Sequence, residues 1–157
     1  MSTFRILVVD DEEDIVASLG GLLSDEGYGV VSAGSGEEGL QKTAGVDLVV
    51  LDLMLPGIDG LEMLRRIKAR EEGLPVVMMS GHGTVVEAVE AVRSGAYDFL
   101  EKPLSGEKVL VTVENALEWR RLQQKNEELE DRVRQRTAEL EEQNRALEEA
   151  NRQIQKA

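Results

Sequence analysis

The sequence predicts an α/β fold: a five-stranded, parallel, doubly wound sheet with helices on both faces, whose last helix extends into a coiled coil. Two observations support this prediction. Short apolar runs rich in β-branched residues alternate with stretches of helical apolar spacing as far as Ser105, and beyond Arg121 a seven-residue repeat follows. We therefore expect one domain at residues 1–120 and a coiled-coil helix at residues 121–157, continuous with the last helix of that domain.

The predicted strands are apolar runs of the kind that parallel sheets bury on both faces. Helical stretches separate them, and five strand–helix repeats predict one parallel sheet. Glycines at the ends of several helical stretches are suited to the left-handed turn that ends a helix. The runs are residues 6–9, 28–31, 48–51, 76–79 and 97–100, and the glycines are Gly27, Gly45, Gly73 and Gly95.

Three of the predicted helices begin with a capping pattern. Ser35, Asp59 and Thr84 each stand three residues before a glutamate, which is the spacing of a capping box. The apolar residues that follow two of these starts recur at helical spacing. They are Leu61, Leu64 and Ile67 after Asp59, and Val85, Val86, Val89 and Val92 after Thr84.

Composition excludes several classes of function. The chain has 31 acidic and 18 basic residues, a formal charge of −13 and no Lys/Arg-rich block, so we expect no nucleic-acid binding by this segment. The absence of cysteine excludes disulfides, thiol catalysis and Cys-ligated zinc, and one histidine is too few for a His-based metal site. With neither a membrane-spanning apolar run nor an export signal, we expect a cytoplasmic protein without membrane contact.

Polar residues at the ends of the predicted strands are the main functional signal. Asp10 and Asp11 end the first strand, Asp52 the third, Ser80 the fourth and Lys102 the fifth. The carboxyl ends of parallel strands lie at one edge of a sheet, so these side chains should meet there. Three converging carboxylates repel one another and need a counter-charge, which favours an oxygen-ligated divalent cation, Mg²⁺.

With a cation in place, one of these carboxylates can act as a nucleophile toward phosphorus. Asp52 is the candidate, with the Lys102 ammonium and the Ser80 hydroxyl as donors to the phosphoryl oxygens. Singly, such residues are often helix caps or partners of a helix dipole. That alternative does not account for all of them together.

Four segments resemble the receiver domain of two-component response regulators, the CheY-like domain. They are VVDDEED at 8–14, LDLMLPGIDG at 51–60, MSGHG at 79–83 and YDFLEKP at 97–103. The resemblance covers residues 4 to about 120 and contains every motif in order. It implies a flavodoxin-like fold and a phosphorelay role, in which a sensor histidine kinase or a phosphotransfer protein donates the phosphoryl group.

The resemblance also assigns roles to the residues that match the family motifs. It implies that Asp52 is the phospho-acceptor and that Asp10, Asp11, Asp52 and the Met54 backbone carbonyl bind Mg²⁺. Lys102 would contact the phosphoryl group. No departure from the family pattern occurs at these positions.

A conformational switch is a further implication of the resemblance. Ser80 would move toward the phosphoryl group, and the ring of Phe99 would rotate inward with it. The bond between Lys102 and Pro103 is expected to be cis. Elementary chemistry agrees with a switch, because a phosphoryl group adds about two negative charges and strong acceptors that a nearby hydroxyl can bind.

Two further residues border the phosphoryl site in the family. Met54 and His82 stand two residues after Asp52 and Ser80. We expect the apolar Met54 to hinder hydrolysis of the phosphoryl group more than a polar residue would. His82 is either a catalyst of that hydrolysis or a solvent-exposed loop histidine, which is the commoner case.

The sequence also contains three glycines with the spacing of a dinucleotide-binding motif. Gly34, Gly36 and Gly39 follow a strand and open a helix in the pattern GxGxxG. Glu37 and Glu38 stand where a pyrophosphate would have to bind, and the motif follows the second strand rather than the first. We therefore expect no dinucleotide binding here.

The segment after Arg121 predicts a coiled coil through which the chain forms a homodimer. Asn126 is the type of polar insertion that fixes register and favours two strands. The repeat has two columns of residues, named below, and the apolar character of the second one weakens after Leu129. We therefore expect a marginal dimer. The alternative is a single solvated helix stabilised by ion pairs. The first column is Asn126, Val133, Leu140, Leu147 and Ile154, and the second is Leu122, Leu129, Arg136, Gln143 and Ala150.

These features favour a signalling switch rather than an enzyme, and they disfavour two alternative functions. An Asp-dependent phosphatase of small molecules usually has an acid two residues after its nucleophile, where this chain has Met54. A constitutive coiled-coil scaffold with a degenerate receiver would lack a key acid, Ser80 or Lys102, and all are present.

Overall fold

The computed structural model of the protein describes residues 3–81 and 84–156, which contain five strands and five helices. The chain forms two compact units, Met1–Arg120 and Arg121–Ala157. The elements are β1 (Arg5–Val9), α1 (Glu13–Asp25), β2 (Gly29–Ala33), α2 (Gly36–Gln41), β3 (Leu48–Asp52), α3 (Gly60–Arg70), β4 (Val76–Ser80), α4 (Val85–Arg93), β5 (Asp98–Glu101) and α5 (Gly106–Lys156).

The strands form a single parallel sheet in the order β2-β1-β3-β4-β5. Along β1, Ile6 and Val8 belong to one buried cluster, and Leu7 and Val9 belong to the other. Helices α1 and α5 contribute to the first cluster, whereas α3 and α4 contribute to the second. Both faces of the sheet are thus covered, which explains the continuous apolar runs and confirms the predicted doubly wound fold.

The predicted helix starts have their capping hydrogen bonds. The cap side chains accept backbone N–H groups three residues on: Ser35 from Glu38, Asp59 from Glu62, and Thr84 from Glu87. At Thr84 the Glu87 carboxylate also accepts the Thr84 N–H, which completes a capping box. The Glu38 carboxylate instead accepts the N–H of Gly34.

The glycine predictions are partly wrong. Three of the four predicted glycines have positive φ, but Gly73 does not, and Gly57 has a φ of 74° that was not predicted. Helix α3 already ends at Arg70, where the N–H of Glu71 bonds to the Ile67 carbonyl. The chain therefore leaves the helix without a left-handed turn at Gly73.

Helix α4 lies where the apolar spacing predicted a helix. The spacing does not identify the buried face of this helix. Its buried residue is Ala91. Four valines of this helix are exposed, so α4 contacts the core through a small side chain. These are Val85, Val86, Val89 and Val92.

Helix α5 extends over 51 residues, which agrees with the predicted long C-terminal helix. Within the first unit it buries five residues, whereas every described side chain at 121–155 is exposed. In the ranges that the structure describes, we find no helix with the length and apolar character that a membrane span needs. The buried residues are Val109, Thr112, Val113, Ala116 and Leu117.

Candidate functional site

The topology of the sheet brings the predicted acids together. Strands β1 and β3 are neighbours, with Val9 in register with Leu51. Asp10 directly follows β1 and Asp52 is the last residue of β3. The helices that follow these two strands pack on opposite faces of the sheet. A crevice forms outside the strand ends at such a position.

Three carboxylates converge at this edge. One oxygen from each of Asp10, Asp11 and Asp52 lies within 4.8 Å of the others. Asp10 and Asp52 are only 1% and 3% exposed, whereas Asp11 is exposed. Asp10 Oδ1 accepts the N–H of Glu12 at 2.9 Å, and Asp52 Oδ1 accepts the N–H of Met54 at 3.3 Å. An all-oxygen donor set fits a hard divalent cation.

Lys102 provides the positive charge beside these acids. Its Nζ donates to Asp10 Oδ2 at 2.9 Å and to Asp52 Oδ2 at 3.3 Å, and it lies 3.5 Å from Glu12 Oε1. The Lys102 backbone N–H donates to the Ser80 carbonyl at 2.8 Å. The bond that follows, to Pro103, is cis as expected. Through the hydrogen bonds of Lys102 to Asp10 and Asp52, the end of β5 is joined to the ends of β1 and β3.

The charges at the site shift the pKa values of its members. Burial, followed by the charge of Asp10, raises the pKa of Asp52 to about 6, although Lys102 and the Met54 N–H oppose the rise. For Lys102, burial acts to lower the pKa, but its hydrogen bond to Asp10 and the charges of Asp52 and Asp10 outweigh it. The pKa of Lys102 is therefore raised, and this residue is a permanent cation at neutral pH.

Ser80 and Phe99 lie on the two strands beyond β3. Ser80 ends β4 and is 1% exposed, and the preceding Met79 is in register with Asp52. Phe99 is in register with Met78 and packs, half-buried, against the cluster that includes α3 and α4. Both predicted switch residues thus lie on β4 and β5, the two strands that follow β3 in the order of the sheet.

Met54 and His82 were predicted to border the phosphoryl site, and the structure describes only Met54. The Met54 side chain is 66% exposed, so it lies at the surface beside Asp52. His82 lies outside the described residues.

Two residues that shape this edge were not predicted from the sequence. A Cβ at Gly60 would collide with the carbonyl of Asp52 and with Leu53, so glycine is required where α3 starts against the end of β3. The Glu37 carboxylate accepts the N–H of Ile58 at 3.2 Å and thereby holds the loop between β3 and α3. The sequence carries a signal for Gly60, because a glycine directly follows the capping residue Asp59. No local pattern marks Glu37.

An open cavity of about 410 Å³ lies beside Asp10 and Asp11, with Gly34, Glu38 and Lys42 also in its wall. The Gly34 N–H donates to the Glu38 carboxylate at 2.7 Å. A backbone donor that a pyrophosphate would use is therefore already bonded to an acid.

The sequence matches a known family over most of its length. The model of the response regulator receiver domain matches residues 6–114. The nitrogen assimilation regulatory protein NtrX of Azorhizobium caulinodans is 44% identical over 128 residues, which are 79% of this chain and 28% of that protein. The chain thus spans less than a third of that curated relative.

Solved structures show the same similarity. NtrX from Brucella abortus is 42% identical with a TM-score of 0.77, over 82% of this chain and 30% of that one. The beryllofluoride-activated NtrC4 receiver domain dimer is 41% identical with a TM-score of 0.71, over 74% of this chain and 98% of that one. From the strand-end acids, the fold and these matches together, it follows that the chain belongs to the response regulator receiver family.

Proposed function

We propose that this receiver accepts a phosphoryl group on Asp52 from the phosphohistidine of a sensor histidine kinase or a phosphotransfer protein, and that it acts as a switch rather than as an enzyme. The observation that carries the proposal is a buried carboxylate with two more carboxylates and one ammonium beside it. Family membership adds support, because receiver domains work with histidine kinases.

The donor set favours Mg²⁺ as the cofactor. Asp10, Asp11, Asp52 and the Met54 backbone carbonyl would hold the ion, and all four offer the oxygen ligands that hard cations prefer. Bound there, Mg²⁺ supplies positive charge to the oxygens of the phosphoryl group. Lys102 balances only part of the negative charge of the acids, which leaves the site electrostatically suited to a divalent cation.

Asp52 supplies the nucleophilic oxygen. At neutral pH a carboxyl group with a pKa of about 6 is mostly ionised, so the attacking form is the common one. Its oxygen bonds to phosphorus while the P–N bond of the phosphohistidine breaks, and the imidazole leaves with the bonding electron pair. Lys102, already 3.3 Å from the Asp52 carboxylate, then donates to an oxygen of the transferred group.

The new charge drives the conformational change. We propose that the Ser80 hydroxyl turns toward the phosphoryl oxygens, because a hydrogen bond to an anion is stronger than one to a neutral group. Phe99, on the adjacent strand, then rotates inward with it. The change at this edge biases the receiver between two states, as a phosphorylation switch requires.

The C-terminal helix is proposed to form a homodimer. Large apolar side chains in this unit recur at coiled-coil spacing and are all 46% or more exposed, which is typical of a surface that a partner covers. The similarity to a receiver that forms a dimer is compatible with this. The residues are Leu122, Leu129, Val133, Leu140, Leu147 and Ile154.

Intact mass spectrometry after incubation with acetyl phosphate and Mg²⁺ tests the central step. The wild-type chain should gain the mass of one phosphoryl group, and Asp52→Asn should gain none. Asp25→Asn is the matched control, because Asp25 is exposed at the end of α1, and it should label like the wild type. Labelling of Asp52→Asn to the wild-type level would remove Asp52 from its proposed role.

A further inference from the structure

We infer that Glu37, in the first turn of α2, is a positioning residue for the magnesium site. It restrains the loop that follows Asp52, to which the proposed ligand Met54 belongs, and thereby strengthens Mg²⁺ binding without contacting the ion. The inference rests on the metal site proposed above and adds a residue from a helix that supplies none of the proposed ligands. The β3–α3 loop is defined as residues 53–59.

The base of the β3–α3 loop is closed by backbone hydrogen bonds. The Gly60 N–H donates to the Leu53 carbonyl at 3.0 Å, and the Leu53 N–H donates to the Met79 carbonyl of β4 at 2.9 Å. Residues 54–59 therefore form an excursion from a fixed base. Met54 is the first residue of this excursion, so its backbone depends on how firmly the excursion is held.

The far end of the loop rests on the start of α2. Glu37 Oε1 accepts the N–H of Ile58 at 3.2 Å. The same carboxylate lies over Gly57, since a Cβ on that residue would be 2.7 Å from Oε1. Gly36 makes a separate close approach, because a Cβ there would be 3.0 Å from the Ile58 carbonyl. Two consecutive residues of α2 thus contact the loop at Gly57 and Ile58.

The neighbouring acid of α2 binds elsewhere. The Glu38 carboxylate accepts the N–H of Gly34 at 2.7 Å and lies 3.4 Å from the Lys42 ammonium. Successive side chains on a helix point about 100° apart, so Glu37 reaches the loop while Glu38 turns back toward the segment before its own helix. The two glutamates have the same charge and the same turn of α2, but different contacts. Glu38 is therefore a matched control for Glu37.

Restraint of the loop lowers the cost of binding an ion at Met54. Ordering a backbone segment costs conformational entropy, and a loop held at both its base and its far end has already lost much of that entropy on folding. Groups that fix the environment of metal ligands strengthen binding even though they do not touch the metal. Such a restraint leaves Asp52 and Lys102, the groups proposed to act on the phosphoryl group, unchanged.

Magnesium titration of the full chain, followed by the amide signals in NMR spectra, tests the inference. Glu37→Ala should weaken Mg²⁺ binding about threefold to tenfold, the range of one hydrogen bond. Glu38→Ala should stay within about twofold of the wild type. The Glu37 side chain is exposed, so its variants should fold. Equal losses in the two alanine variants, or wild-type affinity in Glu37→Ala, would overturn the positioning role.

Glu37→Gln separates the hydrogen bond from the charge. Its amide oxygen can still accept the Ile58 N–H, so its Mg²⁺ affinity should remain within about twofold of the wild type. Hydrogen exchange of the Ile58 amide should be faster in Glu37→Ala and close to wild type in Glu37→Gln. A glutamine variant that loses as much affinity as the alanine variant would attribute the effect to charge and would overturn the inference.

The rate of labelling by acetyl phosphate separates ion binding from the chemical step. In Glu37→Ala the Mg²⁺ concentration for half-maximal labelling should rise by the factor found in the titration, while the maximal rate stays within about twofold of the wild type. A lower maximal rate with an unchanged half-maximal concentration would place Glu37 in the chemical step and would contradict the inference.

The same titration distinguishes failure of this inference from failure of the proposed function. A wild-type chain that binds no Mg²⁺ would overturn the proposed metal site together with the role of Glu37. Wild-type binding that Glu37→Ala retains in full would overturn the role of Glu37 alone, and phosphorylation of Asp52 would be unaffected.

Discussion

Helix α5 is buried along its first part and exposed along its second, although both parts have the same backbone conformation. Before Arg121, the helix places Val109, Val113, Ala116 and Leu117 in the buried cluster that includes residues of α1. At 121–155 the described side chains all face solvent, and intrahelical ion pairs take the place of tertiary contacts. One helix is therefore stabilised in two different ways.

The end of the buried part is anchored by polar and aromatic contacts within the first unit. The Trp119 ring lies 5.9 Å from the ring of Tyr97, and Lys68 Nζ lies 5.9 Å from the Trp119 ring centre. Arg120 donates to the Gly73 carbonyl at 3.2 Å and lies 3.8 Å from Asp47. These contacts come from distant parts of the sequence, so this part of α5 depends on the fold of the receiver.

The difference shows how little the helical state by itself says about stability. Exposed ion pairs on a helix contribute a few tenths of a kcal/mol each, whereas a buried leucine contributes several times as much. The receiver part of α5 is thus held by its core. The part of α5 after Arg121 can gain comparable stability only from a partner that covers its exposed apolar side chains.

Leucine truncation on the two parts of α5 should have the largest effect. Leu117 is 4% exposed and Leu129 is 46% exposed. Leu117→Ala should reduce the free energy of unfolding of the receiver by about 2–4 kcal/mol, because it removes buried apolar volume. Urea unfolding followed by the fluorescence of Trp119, the single tryptophan of the chain, measures this change.

Leu129→Ala is the matched control for that experiment. It should change receiver unfolding by less than about 0.5 kcal/mol, because an exposed side chain loses little on truncation. It should nevertheless weaken self-association in sedimentation. Equal losses of receiver stability in both variants would break the distinction between the two parts of α5.

The pH dependence of stability sharpens the contrast between buried and exposed charges. The pKa of Asp52 is raised from 3.8 to about 6 by burial and by Asp10. The native state therefore binds this proton more tightly than the unfolded state does, so its stabilising contribution is complete below pH 3.8 and is lost as pH rises through about 6. Without Mg²⁺, Asp52→Asn should be more stable than wild type at pH 8 by roughly 1–3 kcal/mol.

Thermal unfolding in EDTA at several pH values measures this difference. The gain of Asp52→Asn should diminish toward pH 5, where the wild-type carboxyl is largely protonated, and the exposed control Asp25→Asn should show no such trend. A variant less stable than the wild type at pH 8 would show that the ion pair with Lys102 outweighs the repulsion from Asp10 and the cost of burial.

Arginine substitutions should give the smallest effects and still separate the two parts of α5. Arg145 and Glu142 are 71% and 77% exposed, so Arg145→Gln should change helix stability by less than about 0.5 kcal/mol. Arg120 is 16% exposed and bonded to the Gly73 carbonyl, so Arg120→Gln should cost about 1–2 kcal/mol. Circular dichroism during thermal unfolding measures both, and a larger loss for Arg145→Gln would contradict the comparison.

Local pattern was sufficient for most of the fold and for the convergence of the acids at the strand ends. Runs such as residues 48–51 predicted β3 within one residue, because a strand buried on both faces must be apolar throughout. The end of β2 was missed: Ser32 and Ala33 carry little apolar signal, and pairing with Val8 and Val9 extends the strand over them. Hydrogen bonds to a neighbouring strand are not visible in local sequence.

Side-chain detail at the site depended on contacts between distant residues. The carboxyl ends of parallel strands lie at one edge of the sheet, so the meeting of Asp10 with Asp52 was predictable, whereas the order of the strands was not. The bonds of Lys102 to both acids, and the loop held by Glu37 and Ile58, join residues 21 to 92 positions apart. Such contacts depend on where whole elements pack, which periodicity does not specify.

The sequence by itself determined the alternation of strands and helices, the acids at the strand ends and the repeat of the tail, because these depend on residue type and spacing along one element. Only the tertiary structure decided that Ala91 rather than the valines of α4 enters the core, that burial raises the pKa of Asp52, and which part of α5 is covered. The physical reason is that burial and electrostatic environment are properties of the neighbours that packing brings to a residue.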